Sequence, residues 1–75
     1  MPKPPSIRAR VLVRVAESMG FIFDRQRGSH AVYYRASDKR RVVIPMHGSK
    51  DLKPGTLRGI IHDMGLTVEA FTNKL

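Results

Sequence analysis

Residues 7–36 read IRARVLVRVAESMGFIFDRQRGSHAVYYRA, and the fold turns on the change of period at the centre of this stretch. At about 100° per residue, Ile7, Val11, Leu12, Val15, Ala16 and Met19 fall on one side of a helix, with Arg10, Arg14 and Glu17 opposite. The spacing predicts an amphipathic helix over 7–19. Ser6 is a candidate N-cap, and Gly20 sits where a C′ glycine ends a helix in the left-handed conformation. Beyond Gly20 the period drops to two. Phe21, Phe23 and Arg25 alternate with Ile22, Asp24 and Gln26. Residues 30–36, HAVYYRA, carry the aromatic and β-branched types that suit a pleated surface. The stretch RQRGSH therefore falls at the junction of two strands.

Working outward, Ser37 and Asp38 supply a turn, and Lys39 to Arg41 lead into the run VVIPM. Pro45 near the end of that run marks an edge strand or a strand terminus, because proline cannot donate to a ladder. Three strands with short links are most simply an antiparallel meander. After the break HGSKDLKPGTL, Pro54 suits a first helical turn. Leu57, Ile60, Ile61 and Met64 then follow the spacing of a buried stripe. Gly65 is a second C′ glycine, with Leu66 supplying the accompanying apolar contact. Thr67 is placed to cap a short last helix, VEAFTNK, with Glu69 in its first turn. At the other end, MPKPP holds three prolines in five residues and is expected to be a flexible arm, residues 1–6, ahead of a single domain over 7–75.

The predicted order is helix, three strands, helix, short helix: an α+β chain. Each main helix has one apolar stripe, so both are expected on one face of the sheet, in two layers. The other face is left for solvent or a ligand. This α-β-β-β-α order is that of the double-stranded-RNA-binding fold, although fold alone does not assign function.

Composition bounds the chemistry. Seventy-five residues form one small domain with a thin core. The absence of cysteine removes disulfides, thiolate ligands and Cys nucleophiles together, and fits a cytoplasmic setting. No apolar run approaches the ~20 residues that span a bilayer, and MPKPPSIRAR has no apolar signal region. Fourteen Lys and Arg against six Asp and Glu give a net charge of +8 with His neutral. A field of that size attracts phosphate backbones and acidic proteins. Arginine dominates, nine to five over lysine, and its planar fork engages phosphate bidentately.

Three stretches in order carry a specific resemblance: GFIFDRQRGSH (20–30), VVIPMHG (42–48) and DLKPGTLRGIIHDMGL (51–66). Together they resemble the HicA family, the small toxins of bacterial and archaeal HicA–HicB toxin–antitoxin pairs, over roughly residues 7–70. The N-terminal helix is less like the usual family opening, which touches no motif residue. The resemblance implies a ribonuclease (an endoribonuclease, or mRNA interferase) that cuts mRNA without the ribosome and without a metal or other cofactor. It implies a single catalytic histidine in the G-S-H motif, here His30, and a HicB-type antitoxin that covers the site. No membrane partner is expected, and the free chain is expected to be a monomer.

The residues can be read without the family. RNA cleavage without a metal uses the 2′-OH as an internal nucleophile. It needs a base for that proton, an acid for the 5′-oxygen and positive charge around the phosphorane. Imidazole offers both protonation states near neutrality, so His30 fits either role. Gly28 permits close backbone approach to a phosphate, the Gly28 and Ser29 amides can donate to it, and Arg25 and Arg27 lie beside it on one side of a strand. The bland alternative is an exposed histidine beside a turn. His47 is a second candidate. Placed at the end of the third strand, it is expected about a strand length, ~17 Å, from His30, which argues for a turn-stabilising or antitoxin-contacting role. His62, beside the apolar stripe of the second helix, reads as a surface residue. Tyr33 and Tyr34 must point to opposite faces, one under the helices and one free to stack on a base. Lys50, Lys53 and Arg58 cluster in sequence around the start of the second helix, where backbone amides favour phosphate. Two other readings share the charge: a non-catalytic RNA-binding module, and a protein whose role is to dock on an acidic antitoxin.

Overall fold

A computed structural model describes residues 6–48 and 50–75. The expected arm lies outside the described residues except for Ser6, which is exposed. The elements are α1 (Ala9–Ser18), β1 (Ile22–Arg27), β2 (His30–Arg35), β3 (Arg40–Pro45), α2 (Pro54–Asp63) and α3 (Val68–Thr72). The predicted α-β-β-β-α order with a short C-terminal helix is the observed one.

Helix α1 starts later than its apolar pattern suggests. Ser6 is not its cap: Arg8 holds the N-cap position in extended geometry, with no side-chain capping bond. The reason is a competing pairing. The Ile7 carbonyl accepts the Leu52 N–H at 2.9 Å, and Arg8 bridges Asp51 in antiparallel fashion. Residues 7 and 8 are held straight by the segment ahead of α2, and Ile7 still reaches the core. Both helix ends follow the sequence reading. Gly20 (φ 90°) and Gly65 (φ 84°) take the left-handed conformation. Phe21 N–H donates to Ala16 O at 3.0 Å, and Leu66 N–H to Ile61 O at 3.1 Å. These 6→1 bonds, with 5→2 bonds from the two glycines, make each end a Schellman motif. Pro54 opens α2 as expected, and the Thr67 hydroxyl accepts the Ala70 N–H at 3.1 Å to cap α3.

The sheet is an antiparallel meander in the order β1-β2-β3, so Pro45 ends an edge strand. Directly paired residues share a face. One face joins the core: Ala31 and Tyr33 of β2 and Val42 and Ile44 of β3 pack with Leu12, Val15 and Ala16 of α1 and Leu57, Ile60 and Ile61 of α2. Phe71 of α3 closes the same cluster, fully buried. Among the described residues no polar or charged residue is buried, so the basic residues are all pushed outward. No helix among them is long and apolar enough to cross a membrane.

Simple alternation along β1 fails at one point. Phe23 pairs with Tyr33, but Arg25 pairs with Val32, and the register shifts between them. Asp24 is the extra residue of a β-bulge, which inverts the alternation of everything after it. Phe23 stays on the helix side, its ring edge-on to Tyr33 at 5.7 Å. Arg25 and Arg27 are turned to the open face.

Candidate nucleic-acid interface

The register lays out the open face as a grid. Across the sheet from β1 to β3, the rows are Ile22–Tyr34–Arg41, Arg25–Val32–Val43 and Arg27–His30–Pro45. Val32 is only 4% exposed although it faces outward. It is a small side chain at the grid's centre, shaded by the larger ones around it. His30 sits in the last row, exposed, with Arg27 on one flank and Pro45 on the other.

Local backbone chemistry fixes that row. Arg27 and His30 pair across a loop of two residues, Gly28 and Ser29. Gly28 has φ 60°, and Ser29 is not among the positive-φ residues. A positive φ at the first loop position only is the pattern of a type II′ hairpin, which asks for glycine there. A Cβ at Gly28 would meet nothing within 4 Å, so the glycine serves the turn and leaves open space above it. Gln26 Nε2 donates to the Gly28 carbonyl at 3.1 Å, steadying the loop. Among the described residues Arg25 pairs only with the neighbouring Asp24 carboxylate, at 3.4 Å, and both are exposed. Such a pair is weak and easily exchanged for a phosphate.

The placement of His47 corrects the expectation of a strand-length separation. In a meander β1 and β3 run parallel, so the end of β3 lies beside the start of β2, not at the far end of the sheet. His30 pairs with Pro45, and the Met46 N–H donates to the Ser29 carbonyl at 2.7 Å. His47 follows immediately and is exposed. With Pro45, Lys50, Asp51, Leu52, Lys53 and Thr56 it lines a cleft of about 390 Å³ between the end of β3 and the start of α2. Lys50 and Lys53 are thus brought to the His30 end. Arg58 is not: it lies a turn into α2 and borders a different groove, between α2 and α3, with the exposed His62 and Glu69.

The two tyrosines separate as expected, and their sides are now assigned. Tyr33 is 7% exposed. Burial, then the nearby Glu17 carboxylate, push its phenol above the ordinary range. It is a core residue and cannot stack on a base. Tyr34 stands on the open face with the Arg41 guanidinium 5.3 Å from its ring centre. Sequence reading passed over Arg41. Its signal was available: in RRVVIP, Arg41, Val43 and Pro45 alternate with the buried Val42 and Ile44. Asp51 and Thr56 were also missed, because only the fold brings them to His47. Among the described residues, no group of three His, Cys, Asp or Glu side chains is placed to hold a metal ion.

The whole motif region, from the helix before the bulged strand to the second Schellman glycine, matches one family model, the HicA toxin of bacterial toxin–antitoxin systems, over residues 9–66. The chain belongs to the HicA toxin family. That match spans most of the chain and takes in the G-S-H turn, the P-M-H-G strand end and α2. No curated protein sequence gives a significant match. Membership makes the chain a HicA toxin of a toxin–antitoxin system, and so one of two components.

Proposed function

We propose that this toxin is an endoribonuclease that cleaves mRNA in the cytoplasm without a metal ion, with His30 as its catalytic residue and a HicB-type antitoxin as its inhibitor. The observation that carries this reading is the last row of the open face. The Asp24 bulge turns Arg25 and Arg27 to the side where His30 stands, and the II′ loop sets His30 at the rim. A phosphodiester laid on this row meets an imidazole from β2 and guanidinium groups from β1. The amides of Gly28 and Ser29 lie in the loop, outside the ladder, and can donate to the same phosphate.

In this mechanism the imidazole of His30 moves a proton at one of the two oxygens that exchange at phosphorus. Arg25 and Arg27 stabilise the negative charge that grows on the non-bridging oxygens, the kind of preorganised electrostatic contribution that is often the largest in an active site. Lys50 and Lys53, and the Tyr34 ring further along β2, hold the flanking nucleotides by charge and stacking. The antitoxin reading rests on the same surface: a partner that covers the exposed cationic row blocks the enzyme.

The test uses purified protein and a defined mRNA fragment in EDTA. Wild type cleaves and leaves a 2′,3′-cyclic phosphate. His30→Ala loses the activity and still folds. Equal cleavage by both proteins would reject His30 as the catalyst, and a 5′-phosphate product would reject attack by the 2′-OH.

A further inference from the structure

Transfer of the phosphoryl group to the 2′-oxygen is an in-line displacement. The base that takes the 2′-OH proton and the acid that protonates the departing 5′-oxygen act on opposite sides of phosphorus. One imidazole cannot serve both positions in the same step, so a site with a single histidine is one group short.

A second imidazole stands at the same end of the sheet. We propose that His47 is the second acid–base residue of the cleavage, acting opposite His30 across the scissile phosphate. The inference rests on the ribonuclease reading above. His30 and Pro45 are ladder partners, and His47 is two residues beyond Pro45. One ladder spacing of at most ~5.5 Å and two Cα steps of ~3.8 Å cap the Cα separation at ~13 Å. Two imidazoles carried on backbones that close are within reach of one phosphodiester. The segment carrying His47 is tied to the G-S-H turn itself, through Met46 N–H to Ser29 O at 2.7 Å. It is also turned back on itself by the 3.3 Å bond from Lys50 N–H to His47 O. His47 is exposed and opens on a cleft whose wall holds Lys50 and Lys53. Arg25 and Arg27 on β1, and Lys50, Asp51 and Lys53 ahead of α2, are the charges around the pair.

The step balances with two groups. The base removes the 2′-OH proton while the 2′-oxygen bonds to phosphorus. The P–O5′ bond breaks, and the acid places its proton on O5′. The products are a 2′,3′-cyclic phosphate and a 5′-hydroxyl. The two imidazoles finish with exchanged protonation states, which solvent resets.

The test compares wild type, His30→Ala, His47→Ala and His47→Gln on two substrates: an RNA oligonucleotide, and the same oligonucleotide with sulfur replacing the bridging 5′-oxygen at the cleavage site. Thiolate leaves without a proton, so the variant lacking the acid recovers on sulfur and the variant lacking the base does not. Expected on natural RNA is a loss of ~10²–10⁴-fold for both His47 variants, the usual worth of one proton-transfer group. On the sulfur substrate, one of the two histidine positions regains near wild-type rate and the other stays slow. Overturning results are His47 variants within threefold of wild type on natural RNA, or the same response to sulfur at both positions. Failure of the ribonuclease reading looks different: His30→Ala then cleaves natural RNA as wild type does.

Discussion

The two ends of the sheet treat their positive charge in opposite ways. At the β2–β3 hairpin, two arginines are bound up. Arg35 grips the Asp38 carboxylate through Nε at 3.0 Å and through NH2 at 2.7 Å, and Arg40 adds a contact at 3.1 Å. Both arginines then reach helix ends: Arg35 donates to the Met19 carbonyl at 2.9 Å, and Arg40 to the Asp63 carbonyl at 3.3 Å. The Arg35 guanidinium also lies 4.4 Å from the centre of the Phe21 ring. Here charge neutralises the carbonyl ends of α1 and α2 and fastens them to the sheet. At the opposite end, among the described residues, Arg27, Lys50 and Lys53 form no ion pair. The same residue types do structural work where a carboxylate and helix carbonyls are at hand, and stay available for a polyanion where they are not. Net charge alone does not distinguish the two.

Mutations at each end sharpen this contrast, starting with the largest effect. His30→Ala is expected to lower RNA cleavage by at least ~10²-fold while leaving the thermal midpoint within a degree or so of wild type. A large drop in midpoint would mean that the open end also holds the fold. At the bound end, Gly65→Ala is expected to cost ~1–2 kcal/mol of stability, because alanine is strained in left-handed geometry. Its Cβ would also press on the Arg40 guanidinium carbon at 3.0 Å. Urea unfolding measures the loss, and cleavage per folded molecule should not change. Returning to the open end, Arg25→Gln and Arg27→Gln are each expected to reduce the slope of log affinity against log salt by about one, with unfolding unaffected. Unchanged slopes would show that RNA does not lie on this row.

The smallest expected effect is a pH dependence. The bidentate Arg35 hydrogen bond, aided by the Arg40 N–H, holds the Asp38 carboxyl down at about 2. A carboxyl lowered on folding adds stability above its unfolded value, and that stability fades as pH falls toward the folded value. From about pH 4 down to pH 2, wild type should lose stability that Asp38→Asn does not have to lose. Parallel curves of thermal midpoint against pH for the two proteins would show that the cluster contributes nothing. The pair is exposed, so the difference is expected to be modest.

Much of this was legible in the sequence, and the exceptions have physical causes. Gly20, Pro54, Gly65 and Thr67 act through local backbone geometry, so their positions name their roles. The helix stripes needed only periodicity. Ser6 lost its cap role because residues 7 and 8 are claimed by a pairing with residues 51 and 52, more than forty positions away. The wide separation expected for His47 came from a wrong picture of the meander, and the observed ladder reverses it. The side on which Tyr34 lies followed only once the core face was known. Arg58 looked clustered with Lys50 and Lys53 in the linear chain, but α2 carries it around to another groove.

The bulge at Asp24 has a consequence that a survey of point mutants would overlook. What holds Arg25 and Arg27 on the open face is their pairing with Val32 and His30, not the Asp24 side chain, so almost any amino acid at 24 keeps them there. Removing the residue altogether would leave Phe23 followed directly by Arg25 in plain alternation, with the same pairs and the same faces. Ironing the bulge out with Asp24 kept would do the opposite: Asp24 would sit opposite Val32, the arginines would point at the helices and Gln26 would turn outward. The bulge is a link of slack that lets the hairpin and the start of the strand keep separate registers.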